Sequence, residues 1–254
     1  MNGLWLFSGI GGLDLGLERA GVRVVGQVEI DPWRRRVLAK HWPEVPRHDD
    51  VRTAVEWWAS EERPRVELVF GGFPCPPFSV AGLKRGIADD RWGWPWMAAV
   101  IRALGPRYVL VENVPGLVRA RVAFGCVLAD LADLGFDAEW SLLSACAVGA
   151  PHTRERLFLV AFPEGIDGEE WLGSGPQQHV AGPEGWLAAR STIDSRARAW
   201  RSRVDGALEA SRADGREADG SARWMVAAGG DAVVPQVAEH VGWLLMAHAA
   251  AVSA

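Results

Sequence analysis

Apolar and polar positions follow two alternating rhythms through the first two thirds of the chain. "LWLF" (4–7) is a short apolar run that stops at the glycines of "SGIGG" (8–12). "LDLGLERAG" (13–21) follows, with leucines at 13, 15 and 17 and a glycine stop, which predicts strand, glycine-rich turn and helix. "VRVVGQVEI" (22–30) is β-branched and reads as a second strand. "DPWRRRVLAKHW" (31–42) opens with Asp then Pro, a helix start. A short helix is expected over "TAVEWWAS" (53–60) and a third strand over "VELVFGG" (66–72). "WPWMAAVIRAL" (94–104) reads as a helix with Pro95 in its first turn, and "RYVLVEN" (107–113) as a fourth strand. An amphipathic helix over "VAFGCVLADLADLG" (122–135) precedes two more strands, "DAEWSLLSA" (137–145) and "RLFLVAF" (156–162). This alternation predicts an α/β fold built on a doubly wound, mostly parallel sheet.

The rhythm changes near residue 163. From there to about 223 the chain is rich in Gly, Ala, Arg, Ser, Asp and Glu, with little apolar periodicity. This stretch reads as a linker, a weak helix or a disordered segment. Order is expected to resume at "WMVAAGGDAVVPQVAEHVGWLLMAHAA" (224–250), where a glycine turn leads to "VVP" and a helix. Three parts follow: 1–162, 163–223 and 224–254.

Composition sharpens this only modestly. The 254 residues suit one large domain or a domain with a small appendage, and 49% hydrophobic content supports a sizeable core. A net charge of −5 does not advertise a nucleic-acid partner, but local patches decide binding more than totals do. Positive charge is almost all arginine, the better residue for forked phosphate contacts; the lysines are Lys40 and Lys84. Residues 190–203 carry five arginines against one acid, a run that suits either a solvated linker or phosphate contacts. Cys75, Cys126 and Cys146 show no CxxC spacing, which argues against a disulfide framework or a zinc site and for reduced thiols. With no signal-peptide pattern and no apolar run of membrane-spanning length, a soluble, cytoplasmic protein is expected.

Candidate chemistry clusters where such folds bind ligands, beyond the carboxyl ends of the strands. "SGIGG", "EID", "GGFPCPPFS" and "ENVPG" all lie at or just after a predicted strand end. A glycine turn between strand and helix lets backbone N–H groups approach a ligand, although many such turns serve packing alone. Glu29, about 20 residues further on, is placed to grip ribose hydroxyls, or is a solvated strand-end carboxylate. Asp50 is either an acceptor for an adenine amino group or a cap for 51–59. In "GGFPCPPFS" (71–79) prolines stiffen both sides of Cys75, and rigid presentation of a thiol is what nucleophilic catalysis needs. Cys126 and Cys146 read as small hydrophobes. A papain-like hydrolase would need a histidine beside Cys75, and only His152 lies near a strand end. Glu112 adds a carboxylate at the end of strand 4. Thiol, acid and a nucleotide-like cofactor together suggest group transfer to an electron-poor ring.

At these residues the chain resembles the cytosine-C5 DNA methyltransferases, which use S-adenosylmethionine. "LFSGIGGLDLGLERAG", "VEID", "GGFPCPPFS", "VENVPGL", "APHTRERLFLVA" and "GGDAVVPQVAEHV" look like that family's motifs and occur in its order, over about 1–162 and 224–248. The resemblance implies a Rossmann-like S-adenosylmethionine-dependent fold, DNA as substrate with the target cytosine turned out of the duplex, and no metal. It makes Cys75 the nucleophile at cytosine C6 and puts Glu112 on ring N3. Asn113 would hold the loop, Arg156 would donate to O2 and Arg154 would brace the site. Phe73 and Ser79 would contact the base and a phosphate. The cofactor would lie on Phe7, Gly9, Ile10, Gly11, Gly12, Ile30, Val51 and Pro74, with Glu29 on the ribose and Asp50 near the adenine. Asp231, Ala232 and Val233 would close over it. In this frame 163–223 is a reduced target-recognition region, and a cognate restriction endonuclease or a specificity partner is a candidate companion. A non-catalytic descendant that binds the cofactor or DNA, and an RNA-directed relative, are the alternatives. The chain departs from the family's usual residues at Trp5, Pro76, His152 and Asp231.

Overall fold

The structure, a computed structural model of the chain, describes residues 1–75, 91–148, 154–164 and 233–252. Its centre is a seven-stranded sheet in the order β3-β2-β1-β4-β5-β7-β6. The strands are β1 (Asn2–Leu6), β2 (Arg23–Val28), β3 (Arg47–His48), β4 (Leu68–Gly71), β5 (Tyr108–Asn113), β6 (Phe136–Ser144) and β7 (Glu155–Pro163). The helices are α1 (Gly12–Arg19), α2 (Pro32–His41), α3 (Ala54–Ala59), α4 (Trp94–Leu104), α5 (Gly116–Arg119), α6 (Arg121–Asp133) and α7 (Pro235–Ala251).

Local chemistry explains the element boundaries. Asp31 caps α2, its carboxylate accepting from the backbone N–H of Trp33 at 2.7 Å and of Arg34 at 3.1 Å, with Pro32 at the first helical position. Helix α4 stops at Gly105, whose left-handed φ of 52° lets its N–H reach the carbonyl of Ile101.

Neighbours among β3, β2, β1, β4 and β5 pair in parallel, whereas β7 runs antiparallel to both β5 and β6. A parallel return needs a crossover of a dozen or more residues, usually a helix. Only the short segment 145–154 joins β6 to β7, so these two strands form a hairpin instead.

Side chains alternate across the sheet into two cores. One face, with Leu4, Leu6, Val69, Val109 and Val111, packs under α3, α4 and α6. The other, with Trp5, Phe70, Tyr108 and Leu110, packs under α1 and α7 through residues such as Leu13, Leu17, Val237 and Val241. Strand order reverses between β1 and β4, and the crevice that this reversal opens at their carboxyl ends is where open α/β sheets bind ligands. No helix among the described residues is long and apolar enough to cross a membrane.

Candidate active site

A cleft of about 640 Å³ occupies that crevice. The turn after β1 forms its floor. Phe7 (φ 58°), Gly9 (φ 58°) and Gly11 (φ 106°) all adopt left-handed backbone, which the two glycines accept without strain and Phe7 does not. The turn is tied to β2. The N–H of Ser8 donates to the carbonyl of Val28 at 3.0 Å, and the N–H of Gly9 donates to Glu29 Oε2 at 2.6 Å. Glu29 Oε1 accepts from the N–H of Asp31 at 2.9 Å. Glu29 thus clamps the glycine turn to the start of α2. Burial pushes its carboxyl above the ordinary range, against the pull of these hydrogen bonds and of Arg34.

Gly12 is the closest approach in the turn. A side chain there would run into the carbonyl of Val233, so its absence lets the segment leading into α7 close on the turn. Gly11 instead faces the ring of Trp42 and does not line the cleft. Along the β2 wall lie Ile30, 69% exposed, and the pair Asp50 and Val51. Asp50 caps the short 3-10 turn Val51–Thr53 through the N–H of Arg52 at 2.9 Å, as one of its two readings expects. It also holds the Arg52 guanidinium at 2.9 Å and 2.6 Å, which lowers the Asp50 carboxyl below its usual range. Arg52 lines the cleft as well, a residue that lies in none of the motifs.

The opposite wall carries the thiol. Phe73 is buried and wedged edge-on against Trp92 (5.2 Å) and tilted against Trp94 (5.4 Å), which anchors the start of the proline loop. Asn113 Nδ2 donates to the carbonyl of Phe73 at 3.1 Å, and Asn113 Oδ1 accepts from the N–H of Val114 at 2.9 Å. This side chain fixes the loop to the end of β5. Pro74 and Cys75 follow on the cleft wall, and burial raises the Cys75 thiol to about 11. Glu112, 7% exposed, faces Arg156 Nε at 3.1 Å across the β5–β7 pair. Both line the cleft. Arg154 does not; its carbonyl accepts from the N–H of Ala145 at the end of β6.

Cys75, Glu112, Asn113 and Arg156 therefore border the same cleft as Phe7, Gly9, Ile10, Gly12, Glu29, Ile30, Asp50, Val51, Phe73, Pro74 and Val233. Ser79, Asp231 and Ala232, with Pro76 and His152, lie outside the described residues. Trp5, Arg34, Arg52 and Arg91 also border the cleft, and sequence reasoning gave them no role there. Among the described residues no group of three or more His, Cys, Asp or Glu is placed to hold a metal.

Comparison with known proteins bears on this arrangement. A family model described as C-5 cytosine-specific DNA methylase matches residues 1–194. The chain is 39% identical over 160 residues to the type II methyltransferase M.NaeI of Lentzea aerocolonigenes, covering 61% of this chain and 38% of that protein. It is 34% identical over 163 residues to the type II methyltransferase M2.BsuMI of Bacillus subtilis, covering 61% and 40%. The aligned part spans half or less of each of these relatives. Among solved structures, the DNMT2 of Spodoptera frugiperda superposes with a TM-score of 0.53 at 23% identity, over 65% of this chain and 51% of that one, a likeness of fold.

Proposed function

The chain belongs to the C-5 cytosine-specific DNA methylase family, and from that premise we propose that it moves a methyl group from S-adenosylmethionine to C5 of a cytosine in double-stranded DNA. The transfer runs through a covalent bond from Cys75 to a base turned out of the duplex. The observation that carries this reading is the convergence of two sets of residues on one cleft. Cys75, Glu112, Asn113 and Arg156 stand on one side, and the glycine turn with Glu29 and Asp50 on the other.

The donor set fits the cofactor. Glu29 keeps acceptor capacity beside the turn, Asp50 is held as an ionised acceptor by Arg52, and exposed Ile30 offers an apolar face for a flat ring. Gly9, Ile10 and Gly12 bring backbone to the cleft floor, and Val233 closes one end. When bound, S-adenosylmethionine supplies an electrophilic methyl group.

Cytosine C5 is a poor nucleophile, and the protein's own groups change that. The Cys75 sulfur, its proton taken by a base such as water, adds to C6, and the displaced electron pair moves to N3, which takes a proton from the Glu112 carboxyl. Arg156, paired with Glu112, donates to the O2 of the ring. C5, now enamine-like, takes the methyl group. A base then removes the C5 proton, the electron pair re-forms the C5–C6 double bond and expels the Cys75 sulfur, and N3 returns its proton to Glu112. Asn113 keeps the loop carbonyl of Phe73 in place, so the sulfur is presented in one position. A thiol near 11 is protonated at neutral pH, so its proton must leave as the base arrives. Reading of the target sequence falls to residues 163–223 or to a specificity partner.

The test is trapping on duplex DNA containing 5-fluorocytosine, which blocks release at the proton-removal step. The wild-type chain with S-adenosylmethionine should form an adduct stable to denaturant, and Cys75→Ser should form none. An adduct that persists in Cys75→Ser, or vanishes in Cys126→Ser, would refute the assignment.

A further inference from the structure

Trp96 is a large aromatic side chain of the cleft to which the reaction gives no part. The other rings around the start of α4 are packed against one another. Phe73 lies edge-on to Trp92 and tilted to Trp94, and all three are buried. Trp96 is partly exposed, lines the cleft, and belongs to neither core. Among the described residues its indole makes no ring contact and no hydrogen bond. An aromatic side chain offers roughly 150–250 Å² of surface, and ligand pockets use such rings to receive flat apolar groups.

The helix decides which part of the cleft the ring serves. Its first turn is fixed to the cleft wall, because the N–H of Gly93 donates to the carbonyl of Pro74 at 3.1 Å and a side chain on Gly93 would strike the Pro74 ring. Trp94 Nε1 donates to the Asp130 carboxylate of α6 at 2.6 Å, so Trp94 marks the flank of α4 that faces α6. Successive helical residues turn by about 100°, which puts Trp96 about 160° away from Trp94, on the opposite flank. On that side α4 touches α3 and the 3-10 turn Val51–Thr53. Two flat rings enter the reaction proposed above. Glu112 and Arg156, which would hold the cytosine, stand on β5 and β7, toward the sheet edge covered by α6. Asp50 and Val51, which would hold the adenine, open the turn that the Trp96 flank faces.

We propose that the indole face of Trp96 packs on the adenine ring of the cofactor, making Trp96 a specificity-determining residue for purine ligands. The proposal rests on the cofactor reading above.

The test uses the full chain without DNA and two probes, S-adenosylhomocysteine and 5′-methylthioadenosine, which keeps the purine but lacks the amino-acid tail. In calorimetry Trp96→Ala should weaken both by a similar factor, about five- to 150-fold, the span for removing an aromatic ring from beneath a base. Trp96→Phe keeps a ring and should recover most of the affinity, whereas Trp96→Leu, apolar but without a ring, should recover less. S-adenosylhomocysteine should also quench part of the tryptophan emission of the wild type, and that part should be missing when it binds Trp96→Phe. A loss for S-adenosylhomocysteine alone would place the ring against the amino-acid tail and overturn the proposal. Unchanged affinity for both probes would overturn it too: with weakened trapping on 5-fluorocytosine DNA the ring belongs to the target base, and with normal trapping to neither ligand. Wild-type protein that binds neither probe would overturn the cofactor reading itself, and this proposal with it.

Discussion

Gly16→Ala sets two known effects against each other, and the structure says which wins. Gly16 lies in the middle of α1, where alanine is favoured over glycine by about 0.5–1 kcal/mol. Against that, α1 and α7 touch closely at this point. A methyl group on Gly16 would sit 2.5 Å from the Cβ of Ala238 and 2.8 Å from the N of Glu239, and would also meet the carbonyl of Pro235. Carbon atoms settle at roughly 3.5–4.0 Å, so α7 must retreat by about 1 Å, enough to forfeit a quarter to a half of the attraction across the contact. Overpacking of this kind costs about 1–3 kcal/mol. The net expectation is a loss of about 1–2 kcal/mol, or a fall in Tm of roughly 3–6 °C for a chain of this size. The same retreat draws Val233 off Gly12, so affinity for S-adenosylhomocysteine should fall too. Gly125 is the internal control. It lies in α6, and a methyl group there would meet nothing within 4 Å, so Gly125→Ala should raise stability by about 0.5–1 kcal/mol. Thermal melts and calorimetry on the two variants check this. A Gly16→Ala protein that melts at or above the wild type and binds ligand equally well would show that the α1–α7 contact is not the constraint described.

Two further outcomes follow from buried ionisable groups. Burial raises Asp14 well above its ordinary value near 3.8, so its contribution to stability is fully present below that value and is lost as pH rises through the raised one. Asp14→Asn should therefore flatten the decline of stability with rising pH in urea melts, leaving the smaller slope from Glu29, and an unchanged slope would count against a buried, neutral Asp14. Iodoacetamide labelling of Cys75 in the absence of DNA, followed by mass spectrometry of its peptide, should rise about tenfold per pH unit toward about 11, and a plateau near pH 8 would contradict the thiol's burial.

Much of this protein is written locally. The Asp31–Pro32 start of α2, the glycine turn after β1, and the stop of α4 at Gly105 depend on residues within a few positions of one another, so the sequence alone determines them. The constraint of Pro74 beside Cys75 is equally local, because proline acts on its own dihedral and on the residue before it. Alternation of strand and helix likewise makes the mostly parallel sheet legible from the chain alone. What the sequence could not set was partnership across distance. Asn113 is 40 positions from the carbonyl it bolts, and Arg156 meets Glu112 only because β7 turns back antiparallel beside β5. Asp50 had two local readings, and only the fold showed a carboxylate that caps a turn and grips Arg52 while facing the cleft. Trp5 reads in sequence as an apolar strand residue at which the chain departs from the family's usual one. That its buried indole N–H is left without a partner emerges only once β1, β2 and β4 lie side by side, because hydrogen-bond satisfaction belongs to the assembled packing and not to any single stretch of chain.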